Sequence, residues 1–216
     1  MNQSGASVGV ARRVLVAALL GVLLLLGRGA AAGGTQDAER FVSTLGDRTL
    51  VALRSSTDPE RRFRELAGLL DQAVDVDLVG RLVLGRHWQA ASEAQRQEYT
   101  RLFRDYFRDG LARRFSGYTG SERITVTGSR EAGDDTLVGT RVTVAGRSAP
   151  VDVEWRVRRE GDRFVVIDVV AAGVSLLVTN RSQFDALVAK GGMDGLLAQM
   201  RRWHEGAAPQ PGAGSV

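Results

Sequence analysis

Val151-Asp152-Val153-Glu154-Trp155-Arg156-Val157-Arg158 alternates apolar and charged side chains without a break. Successive side chains of an extended strand point to opposite faces, so the stretch reads as a strand with one apolar and one solvated face. Val151, Val153, Trp155 and Val157 share the apolar side; Asp152, Glu154, Arg156 and Arg158 share the wet one. Next comes the turn Glu160-Gly161-Asp162, then Phe164-Val165-Val166-Ile167-Asp168-Val169-Val170, apolar on both sides except at Asp168. That pattern predicts a strand over 163–171 that is covered on both faces. Upstream, strands are predicted over 122–128 and 136–145. The turns between them are Glu131-Ala132-Gly133-Asp134-Asp135 and the segment from Gly146 to Pro150. Links this short join antiparallel neighbours, so the four strands form a meander.

The flanks have helical spacing. A helix from Asp37 to about Arg54 places Phe41, Leu45, Leu50 and Leu53 near one face. Asp58-Pro59 opens a second helix to about Val74, with Asp as cap and Pro at the first position. It carries Phe63, Leu66, Leu69 and Leu70. A short helix follows over 77–84. Ser92-Glu93-Ala94-Gln95 is a capping box. The helix it opens runs to about Phe115, with Tyr99, Phe103, Tyr106, Phe107, Leu111 and Phe115 recurring at helical spacing. After Gly173, a helix over 175–189 ends at Gly191-Gly192, and a last one covers 193–204. No internal repeat is present. The predicted fold class is α+β: N-terminal helices, a four-stranded antiparallel curved sheet, then C-terminal helices. Periodicity leaves open whether the helices seal the sheet or leave a cavity.

The first residues read as an export signal. Arg12-Arg13 is followed by 13 uncharged, mostly apolar residues, Val14 to Leu26, and then by Ala30-Ala31-Ala32, a small-residue cleavage site. As a helix the run spans roughly 20 Å, short of the ~30 Å hydrocarbon core of a bilayer. The expected division is a signal peptide over 1–32, one domain over 33–205, and a disordered tail over 206–216. An uncleaved anchor is the alternative for the first segment. Export places the mature chain in the periplasm. With no cysteine in the chain, disulfides and a lipoprotein anchor are excluded.

The formal charge of +4 suggests nucleic acid at first sight. Residues 1–32 hold three arginines and no acid, so the remainder carries only +1. That gives no basic footprint, and no nucleic-acid partner is expected. Two histidines, no cysteine, and none of the hydrolase, metalloprotease, P-loop or dinucleotide motifs argue against an enzyme. The acid pairs Asp75/Asp77 and Asp134/Asp135 lack the other calcium-loop ligands and read as caps and turns. Neither a metal nor a cofactor is expected. Asp168 must face water, pair with an arginine such as Arg181, or accept hydrogen bonds that fix the Gly173 turn.

Two stretches resemble the MlaC family, periplasmic phospholipid-binding proteins also called toluene-tolerance auxiliary proteins. One is Leu84-Gly85-Arg86-His87-Trp88 with Ser92 to Gln95 and the helix through Tyr99, Phe103 and Tyr106. The other is Asp168, Gly173-Val174-Ser175-Leu176, Asn180-Arg181, Phe184, Gly191-Gly192 and Leu196. The similarity runs from about Phe41 to Trp203. Asn180 stands where the family usually has Tyr, and Phe164 and Ile167 stand where it often has aromatic residues. The resemblance implies a carrier; nothing in the sequence sets an oligomeric state, and a monomer is the default expectation. Such a carrier moves phospholipid between an outer-membrane lipoprotein complex and an inner-membrane ABC transporter complex. A related branch is linked to hopanoids, so another lipid is an alternative cargo. A periplasmic adaptor domain with a filled core and no ligand is a second alternative.

Physical chemistry makes a carrier useful. Two acyl chains of about thirty methylenes, at ~0.8 kcal/mol each, face on the order of 20 kcal/mol in water. A cavity near or above the ~1,000 Å³ end of ordinary pockets is expected. Its lining is expected from Val142, Val144, Val153, Trp155 and Val157 on the sheet, and from Phe103, Phe107, Leu111, Leu176 and Phe184 on the helices.

Overall fold

The computed structural model describes residues 29–115, 118, 120–144 and 149–206; of residues 29–33 and 111–115 it describes the backbone. The expected signal peptide lies outside these residues except for its last four. The expected tail lies outside them except for Gly206, and the turn after the second strand lies mostly outside. The chain divides into two compact units, Met1–Asp37 and Ala38–Val216. In the first, residues 29–37 are helical. No helix among the described residues is long and apolar enough to cross a membrane.

Helix α1 (Gly29–Arg54) starts earlier than its apolar spacing suggests. Within the second unit it buries Ala38, Val42, Leu45 and Leu53. Helix α2 (Pro59–Ala73) has the predicted start, with the Asp58 carboxylate accepting from the Glu60 N–H at 3.0 Å. Helix α3 (Val76–Leu84) is capped by Asp75, which accepts from the Leu78 N–H at 2.8 Å, so that acid of the Asp75/Asp77 pair is a cap as expected. Gly80 in α3 lies against an aromatic ring: a Cβ there would sit 2.9 Å from Phe103 Cδ1. The close approach lets α3 and α5 pack together. A turn at Gly85 leads to the short α4 (Arg86–Ala90).

Helix α5 (Glu93–Phe115) begins with the predicted reciprocal cap. Ser92 N–H donates to Gln95 Oε1 at 3.0 Å, and Gln95 N–H donates to Ser92 Oγ at 3.3 Å. Helix α6 (Leu176–His204) is broken at Gly191 and at Gly192, whose φ of 64° lies in the left-handed region that glycine tolerates. That is the predicted break between the last two helices.

The strands are β1 (Arg123–Ala132), β2 (Asp135–Thr143), β3 (Val151–Glu160), β4 (Arg163–Ala171) and β5 (Val174–Ser175). They form one antiparallel sheet in chain order, the predicted meander with a two-residue fifth strand added. Strand β1 runs four residues further than its alternation suggests. A bulge between Val126 and Gly128 breaks the period of two, and the turn is the tight Gly133-Asp134. On β4, Val165, Val166 and Ile167 are all buried, as a strand covered on both faces requires.

The main core joins α1, α3, α5 and α6 to the sheet. Its centre is aromatic, with Tyr99–Phe103, Tyr106–Phe184 and Tyr106–Trp203 centroids at 5.6, 5.5 and 5.4 Å. Fully burying each such ring contributes roughly 1.5–3 kcal/mol. Tyr99 is fully buried, and its hydroxyl donates to the Gly80 carbonyl at 2.9 Å. Burial, then the neighbouring Tyr106, pushes the Tyr99 hydroxyl well above its ordinary range. A smaller second core holds Leu50, Ala52, Leu53 and Leu66, with Leu69 and Ile124 packed against it.

Candidate functional site

Register determines which side chains share the helix-facing side of the sheet, because paired antiparallel residues point the same way. One row is Ile124, Val142 and Val151; the next is Val126, Thr140 and Val153. The following rows are Val138, Trp155 and Val169, then Thr136, Val157 and Val166. The two halves of this face differ. Val138, Val157 and Val166 are buried in the main core, with Trp155 and Val169 packed against it. Val142, Val151 and Val153 are half-buried and belong to neither core among the described residues. Leu176, the first residue of α6, has the same status. The boundary is marked by Thr140, buried although polar. Its Oγ1 accepts from Trp155 Nε1 at 2.9 Å and donates to the Val153 carbonyl at 3.2 Å.

The ten expected lining residues therefore separate. Phe103, Phe184 and Val157 are close-packed core, because the aromatic centre and the β3–β4 ladder fill the space around them. Trp155 is partly buried against that core. Val142, Val153 and Leu176 are half-buried and belong to neither core among the described residues. Val144 is half-buried just past the end of β2, so it is not a strand residue. Phe107 lines a cavity described below. Leu111 lies where only the backbone is described. Val138 is not among the expected lining residues, although counting back in twos along β2 from Val142 reaches it.

Asp168 takes one of its three expected roles. Its carboxylate accepts from the Val169 N–H at 2.8 Å, the Ser175 hydroxyl at 2.6 Å and the Leu177 N–H at 2.9 Å. Ser175 in turn caps α6 through the Val178 N–H at 3.0 Å. The acid thus fixes the turn through Gly173 and anchors the start of α6. Arg181 does not pair with it; its Nε donates to the Leu82 carbonyl at 2.9 Å, tying α6 to α3. Nearby, Asp185 takes His87 Nε2 and Arg86 Nη2, both at 2.7 Å. The His87 hydrogen bond, with Arg86 adding to it, holds the Asp185 carboxyl below the usual carboxylate range.

The opposite face of the sheet is charged, as the alternation predicts. Arg130 pairs with Glu154 at 2.7 Å and Arg141 with Asp152 at 2.8 Å. Asp135, almost fully buried, takes Arg156 at 2.6 Å and Arg158 at 2.7 Å. Burial alone would raise the Asp135 carboxyl, but hydrogen bonds from Arg158 and Arg156 outweigh it and lower it. No group of His, Cys, Asp or Glu able to hold a metal occurs among the described residues.

Two cavities stand out among the described residues. One, of about 280 Å³, lies between α2, α3, α5 and the start of β4, with Leu70, Val74, Val76 and Phe107 giving its apolar part. The other, of about 350 Å³, lies against α5 beside Trp88 and is lined mostly by polar side chains. Both fall short of the ~1,000 Å³ end of the pocket range.

Comparison with known proteins agrees with this architecture. A phospholipid-binding protein of Ralstonia solanacearum, solved in complex with a phospholipid, shares the fold at a TM-score of 0.67 and 22% identity. The likeness covers 80% of this chain and 99% of that one. The intermembrane phospholipid transport system binding protein MlaC of Haemophilus influenzae is 27% identical over 142 residues. That match spans 64% of this chain and 64% of the relative, under two thirds of the relative's length. The model of the family described as MlaC protein matches residues 44–202, from α1 through the end of α6. The chain belongs to the MlaC family.

Proposed function

We propose that this protein is a periplasmic carrier that buries phospholipid acyl chains between its sheet and helices and releases them to membrane complexes. The observation that carries this reading is that Val142, Val151 and Val153 on the helix-facing side of the sheet, and Leu176 at the start of α6, are half-buried and belong to neither packed core among the described residues. Family membership and the phospholipid named for both relatives support it. In this reading residues 1–32 are a cleaved export signal, 33–205 the carrier domain and 206–216 a tail. The domain acts as a monomer between an outer-membrane lipoprotein complex and an inner-membrane ABC transporter complex. It works by reversible burial and performs no chemistry.

Cavities of about 280 and 350 Å³ are too small for two chains. Loading therefore requires elements packed around the sheet to shift and open more room. The small volumes favour the adaptor reading with a filled core as the second interpretation. Native mass spectrometry of the exported, purified protein, followed by solvent extraction, separates the two. Stoichiometric phospholipid supports the carrier. An empty protein that takes up no lipid from vesicles supports the adaptor.

A further inference from the structure

The 280 Å³ cavity combines an apolar floor with charges of both signs. Leu70 and Val74 contribute from the end of α2, Val76 from α3 and Phe107 from α5. Its charged residues are Asp71, Asp75, Asp77, Arg104, Arg108 and Arg163. Most of these are already engaged. Arg104 Nε meets Asp77 at 2.8 Å, Asp75 caps α3, and Arg163 meets Glu160 at 3.1 Å. Two remain. Asp71 of α2 and Arg108 of α5 are exposed, and neither has a hydrogen bond or ion pair among the described residues. The cavity therefore presents one spare anion and one spare cation from different helices, above a hydrocarbon-like floor.

We infer that this cavity seats the head group of an amine-bearing zwitterionic phospholipid, a phosphoethanolamine, with its phosphate toward Arg108 and its ammonium toward Asp71. The inference rests on the carrier reading and deepens it. A volume of about 280 Å³ is too small for two acyl chains but suits a head group. Leu70 and Phe107 pack against the main core, and Leu69, next to Leu70, packs against the second core together with Ile124. Ile124 pairs with Val142 on the helix-facing side of the sheet. An anionic phosphoglycerol head group would satisfy Arg108 but leave its hydroxyls beside the carboxylate of Asp71. Since both charges are exposed, each is worth about a two- to fivefold preference, not an absolute one.

The test loads the mature protein from vesicles holding equal amounts of phosphatidylethanolamine and phosphatidylglycerol, and reads bound lipid by mass spectrometry. The expected result is phosphatidylethanolamine in about two- to fivefold excess. Asp71→Lys should reverse that preference, and Asp71→Asn should abolish it. Arg108→Glu should lower loading of both lipids. Both positions are exposed, and a melting scan confirms that the variants fold. Soluble glycerophosphoethanolamine is the second probe and should not displace bound lipid. Normal loading with an equal lipid ratio in both the wild type and Asp71→Lys overturns the head-group assignment alone. Saturation by the soluble probe overturns the lipid source. No loading from any vesicle overturns the carrier reading itself.

Discussion

Replacing Asp168 with alanine removes the acceptor of three hydrogen bonds, from the Val169 N–H, the Ser175 hydroxyl and the Leu177 N–H. The hydroxyl can turn to water, whereas the two backbone donors lie at a half-buried turn where water replaces the carboxylate only in part. Each orphaned donor costs about 1–2 kcal/mol, so the total is about 2–4 kcal/mol. For a domain of this size that lowers the melting temperature by about 5–15 °C. Asp168→Asn keeps one acceptor oxygen and should lose about half as much. The assay is urea unfolding with hydrogen exchange. The Leu177 and Val178 amides should lose protection in Asp168→Ala while the Val157 and Val166 amides keep theirs. A melting temperature within about 1 °C of the wild type, with α6 amides still protected, would refute the anchoring role.

Val157→Trp overpacks a fully buried position and should cost about 1–3 kcal/mol of stability in urea unfolding. Val153→Trp, at a half-buried position outside both cores, should leave the melting temperature close to wild type and reduce extractable lipid. Tyr99→Phe leaves the Gly80 carbonyl without its buried donor and should cost about 1–2 kcal/mol by the same measurement. The Asp135 carboxyl is lowered in the folded state, so its contribution is fully present above the unfolded carboxylate value of about 3.9 and is lost as pH falls through the lower folded value. Urea midpoints measured between pH 5 and pH 2 should therefore fall less steeply in Asp135→Asn than in the wild type.

Local signals carried much of the fold. The period-two alternation of β3 put Val153, Trp155 and Val157 on one side, and the register places them there. The Ser92–Gln95 box, the Asp58-Pro59 start and the Gly191-Gly192 break are short-range chemistry, and each marks the element end it predicts. Strand β1 was less legible, because its bulge interrupts the period that identifies a strand. The candidate site was legible only in part. Alternation tells which face is apolar but not how far the helices reach across it. Val157 and Val153 read alike in sequence, yet one lies in the core and the other beyond it. Phe103 and Phe184 lie in the aromatic centre of the main core. Their ring contacts come from helices distant in sequence, which periodicity on a single helix does not report. Asp71 and Arg108 drew no notice as sequence, since isolated surface charges acquire meaning only when the fold brings them to one cavity.

In the proposed carrier, acyl chains lie against the Val142–Val153 half of the sheet. Photocrosslinking with a phospholipid bearing a diazirine midway along one chain, followed by peptide mapping, tests it most directly. Adducts are expected at Val142, Val151, Val153 and Leu176, with none at Val138 or Val157. Adducts confined to exposed helix surfaces, or no adducts from a protein that has been given lipid, would contradict it.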